Sequence, residues 1–365
     1  MTGRDAVTRD EVSEGPTGVR AVRLGTRRSA LATTQSRWVA DRLIAEHPGV
    51  GVDPVEVTTH GDVTTAPLAS LGGTGVFVTA LREALLAGEV DLAVHSLKDL
   101  PTAPAPGLVI AAIPQREDPR DVVVTADGRT LGELPTGAKV GTGSPRRAAQ
   151  LRALGLGLDV VDLRGNVDTR IRAVNQGRLD AVVLARAGLL RLGRAGEAGE
   201  VLDPLLMLPA PGQGALAVEC RADRTDLAGL LAAIDDLPTR LAVTCERALL
   251  ATLEAGCAAP LGALAEVAEG DGAGEAGESA ELFLRAVVAS LDGTQSLRRS
   301  MTRALPPARQ AAIQAAKDLG EALAAELLDD GAADLVASCA GGSFLVADVT
   351  GDSALWSSTA GEGDL

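Results

Sequence analysis

The sequence predicts an α/β protein of several domains, and three observations carry that reading. Its 365 residues exceed what one ordinary core organises. From Val19 to Arg221, short β-rich runs alternate with amphipathic helical stretches, the pattern of βαβ units around largely parallel sheets. After Pro238 the pattern changes to a long helix, a turn at Gly256, two strands and a second long helix, which indicates a smaller third α/β domain.

The elements follow in order. Residues 22–25 read as a strand, and Leu31, Trp38, Val39 and Leu43 form the apolar stripe of the helix after it. Further strands are predicted at 55–59, 91–95, 108–113, 121–125, 139–142, 160–163 and 181–184. Gly, Pro and Asp punctuate 114–119 and 208–214, the candidate crossovers into and out of a second domain of about a hundred residues. In the third domain, strands are expected near 282–289 and 297–303 and a helix over about 307–328. Residues 266–281 hold six acidic residues, four glycines and no Lys or Arg, which predicts a mobile solvated loop. Disordered tails are expected at 1–18 and 342–365, and no internal repeat is found.

Composition narrows the function. With 46% apolar and 23% charged residues the chain reads as soluble and globular, and no stretch approaches the ~20 apolar residues of a membrane span. The start, with Arg4, Asp5, Arg9, Asp10, Glu11 and Glu14, lacks the apolar core of a signal peptide. Cys220, Cys245, Cys257 and Cys339 are too few and too spread for a disulfide framework or a zinc set, which fits a reducing cytoplasm. His47, His60 and His95 have no metal-ligand spacing, so no metal is expected. A net charge of −15 with five aromatic residues opposes nucleic-acid binding. Within that acidic chain, residues 139–178 carry eight basic side chains against three aspartates. Any anion must be held by such a local site.

The polar signatures fall at the ends of predicted strands: Thr26-Arg27-Arg28-Ser29, His95-Ser96-Leu97-Lys98-Asp99, Gly141-Thr142-Gly143-Ser144 and Arg164-Gly165-Asn166. In open α/β sheets ligands bind outside the carboxyl ends of strands, and a helix start there favours an anion. Arg146, Arg147, Arg164 and Arg170 suit bidentate pairing with carboxylates, although any single one reads equally as a solvated helix-face residue. The 141–144 loop lacks the spacing and Lys of a P-loop. His95 ends an apolar run and reads as a structural, hydrogen-bonded residue. Asp99, read without further context, is a loop cap before Leu100-Pro101.

Seven motifs in order then resemble the signatures of hydroxymethylbilane synthases, or porphobilinogen deaminases: Arg27-Arg28-Ser29-Ala30-Leu31-Ala32, His60-Gly61-Asp62, His95-Ser96-Leu97-Lys98-Asp99-Leu100-Pro101, Arg116-Glu117-Asp118-Pro119-Arg120-Asp121, Leu163-Arg164-Gly165-Asn166-Val167, Pro211-Gly212-Gln213-Gly214-Ala215 and Glu254-Ala255-Gly256-Cys257. The resemblance covers about residues 20–340. It implies two domains like periplasmic binding proteins, with mixed, mainly parallel sheets, and a third carrying a cofactor cysteine. The chain would re-enter the first domain near Ala215, giving 19–114 with 215–236, then 115–214, then 237–341.

The implied activity is that of a transferase, a cytoplasmic monomer that condenses four porphobilinogen molecules head to tail, with loss of ammonia. The growing chain would sit on a covalent dipyrromethane primer, and water would release hydroxymethylbilane for porphyrin biosynthesis. Carried over by position, Cys257 holds the cofactor through a thioether, a role that suits a soft thiol nucleophile, and Asp99 is the catalytic carboxylate. Lys98, Thr142, Ser144, Arg146, Arg147, Arg164, Gln213 and Gly214 would bind the cofactor, and Arg27, Ser29, Arg170 and Arg191 the substrate. Cys220, Cys245 and Cys339 read as small buried hydrophobes. Thr74 and Ser70 stand where the family commonly has lysines, and Gly143 and Pro145 also depart from its pattern. The rival reading is a non-catalytic small-anion binding protein of the same architecture, which would carry no covalent pyrrole.

Overall fold

The computed structural model describes residues 20–57, 75–253, 259–268 and 280–337. The expected tails, the His60-Gly61-Asp62 motif, Ser70, Thr74, the segment from Glu254 to Cys257, and Cys339 lie outside them.

Along the chain come β1 (Arg20–Thr26), α1 (Ala30–Glu46), β2 (Val50–Glu56), α2 (Gly75–Leu86), β3 (Leu92–Ser96) and β4 (Leu108–Ala112). Then follow β5 (Asp121–Thr125), β6 (Lys139–Gly141), α3 (Pro145–Ala153), β7 (Asp159–Val161), α4 (Val167–Asn175), β8 (Ala181–Ala185), α5 (Arg186–Arg191) and β9 (Glu200–Val201). The chain continues with β10 (Leu216–Arg221), α6 (Thr225–Leu231), α7 (Leu237–Thr252), β11 (Leu261–Ala268), β12 (Glu281–Ala289), β13 (Ser296–Ala304), α8 (Arg309–Asp329) and α9 (Ala332–Ala337).

These strands form three sheets. The first has the order β2-β1-β3-β10-β4 and the second β7-β6-β8-β5-β9. In both, the first three strands run parallel and the fourth is antiparallel to its neighbours. The fourth strand is in each case the one entered directly from the other sheet, β10 after 208–215 and β5 after 113–120. Because they run antiparallel, their first residues stand level with the carboxyl ends of their neighbours: Leu216 pairs with Ser96 and Asp121 with Ala185. Both crossovers are thereby delivered to the edge where the parallel strands end.

Apolar burial explains the layers. Val122, Val124, Val182 and Leu184 face Ile171 and Val174 of α4, while Val123, Val140 and Val183 face Leu151 of α3 and Met207. Strands covered on both faces read as continuous apolar runs. The third sheet, β11-β12-β13, is antiparallel, and Leu282 and Leu284 bury against Leu249 of α7 and Leu319 and Leu323 of α8. The two helices touch where Gly320 faces Cys245, since a Cβ on Gly320 would collide with the Cys245 carbonyl.

The structure corrects two expectations and adds strands β10 and β11 to those named from the sequence. The second strand is Val50–Glu56, not 55–59, because β2 is a sheet edge where Pro54 costs no ladder bond. Strand β10 carries no alternation because Leu216 to Cys220 are all buried. Strand β11 was hidden by its run of small buried residues, Gly262, Ala263 and Ala265. The acidic segment predicted as a loop from 266 contributes Glu266, Val267 and Ala268 to β11, and Glu281 opens β12; residues 269–279 lie outside the described chain.

One carboxylate ties the parts together. Glu246 on α7 is fully buried and accepts from Arg116 Nη1 at 2.7 Å and Nη2 at 3.1 Å. It also accepts from the backbone N–H of Gly212 at 2.6 Å and of Ala265 at 2.9 Å. Both crossovers, α7 and β11 therefore meet at one side chain. Such a pair is stable because all its donors are matched, and removing one partner strands a buried charge. Glu246→Gln should cost about 3 kcal/mol of stability, measured as a lower thermal midpoint; an unchanged midpoint would show that the junction does not depend on that charge.

Candidate active site

The carboxyl ends of β1, β3, β6, β7 and β8, with the two crossovers, place most of the residues singled out in the sequence along one edge. At its centre is Asp121, first residue of β5 and fully buried. Its Oδ2 accepts from Arg146 Nη2 at 2.8 Å, and its Oδ1 from Arg147 Nη2 and Gln213 Nε2, each at 2.8 Å. The second terminal nitrogen of Arg146 donates to the Leu208 carbonyl and that of Arg147 to the Val183 carbonyl at 3.0 Å. Burial alone would raise the Asp121 pKa; the two guanidiniums overrule it and hold the carboxyl well below its ordinary range.

Two guanidiniums against one carboxylate leave a buried surplus of positive charge. Both Nε atoms are buried, with no acceptor among the described residues. A buried charged donor without a partner is costly, so this arrangement is complementary to an incoming anion.

Gln213 carries the network across to the first sheet. Its Nε2 also donates to the Pro119 carbonyl at 2.6 Å, and its Oε1 accepts from Lys98 Nζ at 3.3 Å. Lys98 and Asp99 sit on a single 3-10 turn, Leu97–Asp99, that directly follows β3. Burial lowers the Lys98 pKa to about 8; Asp99 opposes the shift and Arg147 adds to it. The turn closes through the Leu100 N–H to the Leu97 carbonyl at 3.1 Å, so backbone rather than the Asp99 side chain ends it. Asp99 is half-buried. The carbonyls of Leu100 and Pro101 accept from Arg247 of α7, at 3.0 and 2.7 Å. The helix that leads toward Cys257 is thus fastened to the turn that bears Asp99. Cys257 itself lies outside the described residues.

Ser29 and Ser144 cap α1 and α3, accepting from Ala32 N at 3.3 Å and Arg147 N at 3.4 Å. Thr142 is buried, and its Oγ1 accepts from Ser144 N at 3.2 Å. These hydroxyls shape the loop and hold the helix starts. A Cβ at Gly143 would stand 2.7 Å from the Leu163 carbonyl oxygen, so this loop lies against the segment after β7 too closely for a larger residue. Arg27 is half-buried just beyond β1. Arg191 donates to the Gly214 carbonyl at 2.6 Å, and Arg170 to the Gly165 carbonyl at 2.8 Å. Burial lowers the pKa of both to about 10, with Arg147 adding to the shift at Arg170 and Glu117 opposing it at Arg191. Gly214 has φ +87, and a Cβ there would run into the Glu117 carbonyl. Arg164 stands apart, with its side chain 55% exposed and 3.5 Å from Asp162.

His95 is the structural residue its context predicts. It is buried with Nε2 3.2 Å from Glu219 Oε2, and Arg82 grips the same carboxylate at 3.0 and 2.7 Å. Burial raises the Glu219 pKa, but His95 and Arg82 bring it down to about 2. Cys220 and Cys245 are buried free thiols, as expected. Sequence reasoning gave no role to Asp121, Glu246 and Arg247. Only Asp121 left a signal, as the last residue of the motif that begins at Arg116 and as a carboxylate opening an otherwise apolar strand.

A mixed α/β fold with a buried, net-positive cluster beside a half-buried carboxylate defines a two-sheet protein whose strand-end edge is suited to small anions. Residues 22–229 match the family model described as "Porphobilinogen deaminase, dipyromethane cofactor binding domain", and residues 240–329 match "Porphobilinogen deaminase, C-terminal domain". The porphobilinogen deaminase of Mycobacterium tuberculosis is 58% identical over 316 residues, 86% of this chain and 98% of that protein. That of Mycobacterium avium is 57% identical over 317 residues, 86% and 96% of the two chains. The solved methionine binding protein MetQ aligns at 14% identity and a TM-score of 0.38, over 59% of this chain and 88% of its own. The chain belongs to the porphobilinogen deaminase family.

The Lys98 ammonium yields a prediction on stability. Its folded pKa of about 8 lies below the ordinary 10.5, so folding disfavours the charged form. The penalty is full below about pH 8 and fades as pH rises toward 10.5. Lys98→Met should therefore melt higher than the parent at neutral pH, with the gap closing in alkali. A variant that melts no higher at neutral pH would contradict the burial of that charge.

Proposed function

We propose that the cluster around Asp121 and the turn bearing Lys98 and Asp99 form the working centre of a hydroxymethylbilane synthase. The chain is a transferase that condenses four porphobilinogen molecules head to tail on a dipyrromethane cofactor and releases hydroxymethylbilane. The observation that carries the assignment is the pair of buried arginines matched by a single carboxylate, each with an unbonded Nε–H. That donor set fits a group bearing several carboxylates.

In this reading Cys257 holds the cofactor through a thioether, supported by its motif and by the anchoring of α7 to the Asp99 turn. When bound, the dipyrromethane supplies the pyrrole end to which each new unit is joined. Arg146, Arg147, Lys98 and Gln213 orient its carboxylates, and Thr142, Ser144 and Gly214 keep the loops that carry them in place. Arg27, Ser29, Arg170 and Arg191 would bind substrate, and Arg164, the most exposed of the set, would meet ligand from the solvent side. Asp99 holds its negative charge where positive charge develops on a pyrrole as the aminomethyl nitrogen leaves, and its Oδ atoms can take up the proton lost on coupling.

The reading extends to three domains: 19–114 with 215–236, 115–214, and 237–341, one around each sheet. It also takes the protein to be a cytoplasmic monomer that does not bind nucleic acid. Two buried free thiols support a reducing compartment, a net charge of −15 and five aromatic residues oppose nucleic-acid binding, and the monomer is what the family resemblance implies. Among the described residues no helix is long and apolar enough to cross a membrane.

Asp99→Asn tests the reading, because Asn retains one carbonyl acceptor and loses the charge. Turnover of cofactor-loaded variant should fall by about 10² or more, with its thermal midpoint preserved. Near-normal turnover would remove Asp99 from the chemistry.

A further inference from the structure

We infer that Asp121 is a positioning residue for the reaction: it sets the place and the charge balance of Arg146, Arg147 and Gln213 without itself reaching the ligand. The inference rests on the functional reading above, which places those three residues against carboxylates.

Three features carry it. First, Asp121 has no exposed surface, and both its oxygens are taken, Oδ2 by Arg146 and Oδ1 by Arg147 and Gln213. It is enclosed by its partners, and no ligand group can reach it without displacing one. Second, it joins the edges of two separate sheets. Arg146 and Arg147 open α3 beside the second sheet, while Gln213 stands on the crossover that enters the first and accepts from Lys98. A shift at Asp121 therefore moves the donors on both edges together. Third, it meters charge. Without it the two guanidiniums would face each other in a dry environment with no counter-charge: burial lowers the Arg146 pKa, Asp121 opposes that shift and Arg147 adds to it. With it, one positive charge is matched and one remains for the ligand.

A residue with only a structural role lowers stability and leaves the folded fraction normal. A positioning residue changes how the folded enzyme binds. Asp121→Asn and Asp121→Glu are therefore prepared in the full chain and loaded with preassembled tetrapyrrole. Each is assayed for intact mass, thermal midpoint, and kcat and KM for porphobilinogen. Asp121→Asn should carry the adduct on a smaller fraction of chains and, in the loaded fraction, lower kcat by about tenfold or more, the scale of one misplaced charged contact, with a smaller change in KM, because the displaced donors face the primer and not the incoming substrate. Asp121→Glu keeps the charge but displaces it by one methylene, and should lower loading and kcat severalfold at a near-parental midpoint. Should Asp121→Asn fail to fold, Asp121→Glu carries the test alone. Parental loading and parental kcat in the folded variants, with lowered midpoints only, would overturn the inference. A parent chain that bears no pyrrole adduct and consumes no porphobilinogen would instead sink the functional reading.

Discussion

Buried charge has to be matched, and at the centre of this protein one carboxylate, Asp121, matches two arginines and a glutamine at once. The demand explains several otherwise separate features. Strand β5 must begin at the ligand edge, so it runs antiparallel to β8. Helix α3 must start there too, so Ser144 caps it and Pro145 occupies its first turn, where no N–H is needed. The crossover at Gln213 must approach closely, and Gly214 with its positive φ allows the Glu117 carbonyl to lie against it.

A second buried carboxylate, Glu246, does for the framework what Asp121 does for the ligand edge. It neutralises Arg116 and accepts from two backbone amides, so nothing at the junction is left unmatched. The contrast between the two sites is informative. Around Glu246 the charges balance and the donors are filled, as suits a joint. Around Asp121 positive charge is in excess and two N–H groups are unfilled, as suits a binding site.

Much of this was legible in the sequence, and the gaps have physical causes. Strands β5, β6 and β8 were readable because apolar runs stand between Gly, Pro and Asp punctuation. Strand β10 was not, because Glu219 breaks its apolar run, and β11 was not, because its run is made of small residues such as Gly262, Ala263 and Ala265. The arginines were legible as a cluster, but their partner was not. A lone Asp at a strand start looks the same whether it faces water or holds two guanidiniums, and only the fold brings residues 121, 146 and 213 together. Arg247 and Glu246 sit within a long helix, where charge ordinarily means solvent.

The central claim is that this basic edge exists to hold a carboxylate-rich pyrrole primer fixed to Cys257. The most direct measurement is the intact mass of the purified chain, with peptide mapping of the modified residue. The account predicts one dipyrrole per chain, on Cys257, and none on a folded Cys257→Ser variant. An active chain without the adduct, or with the adduct on Cys220, Cys245 or Cys339, would contradict it.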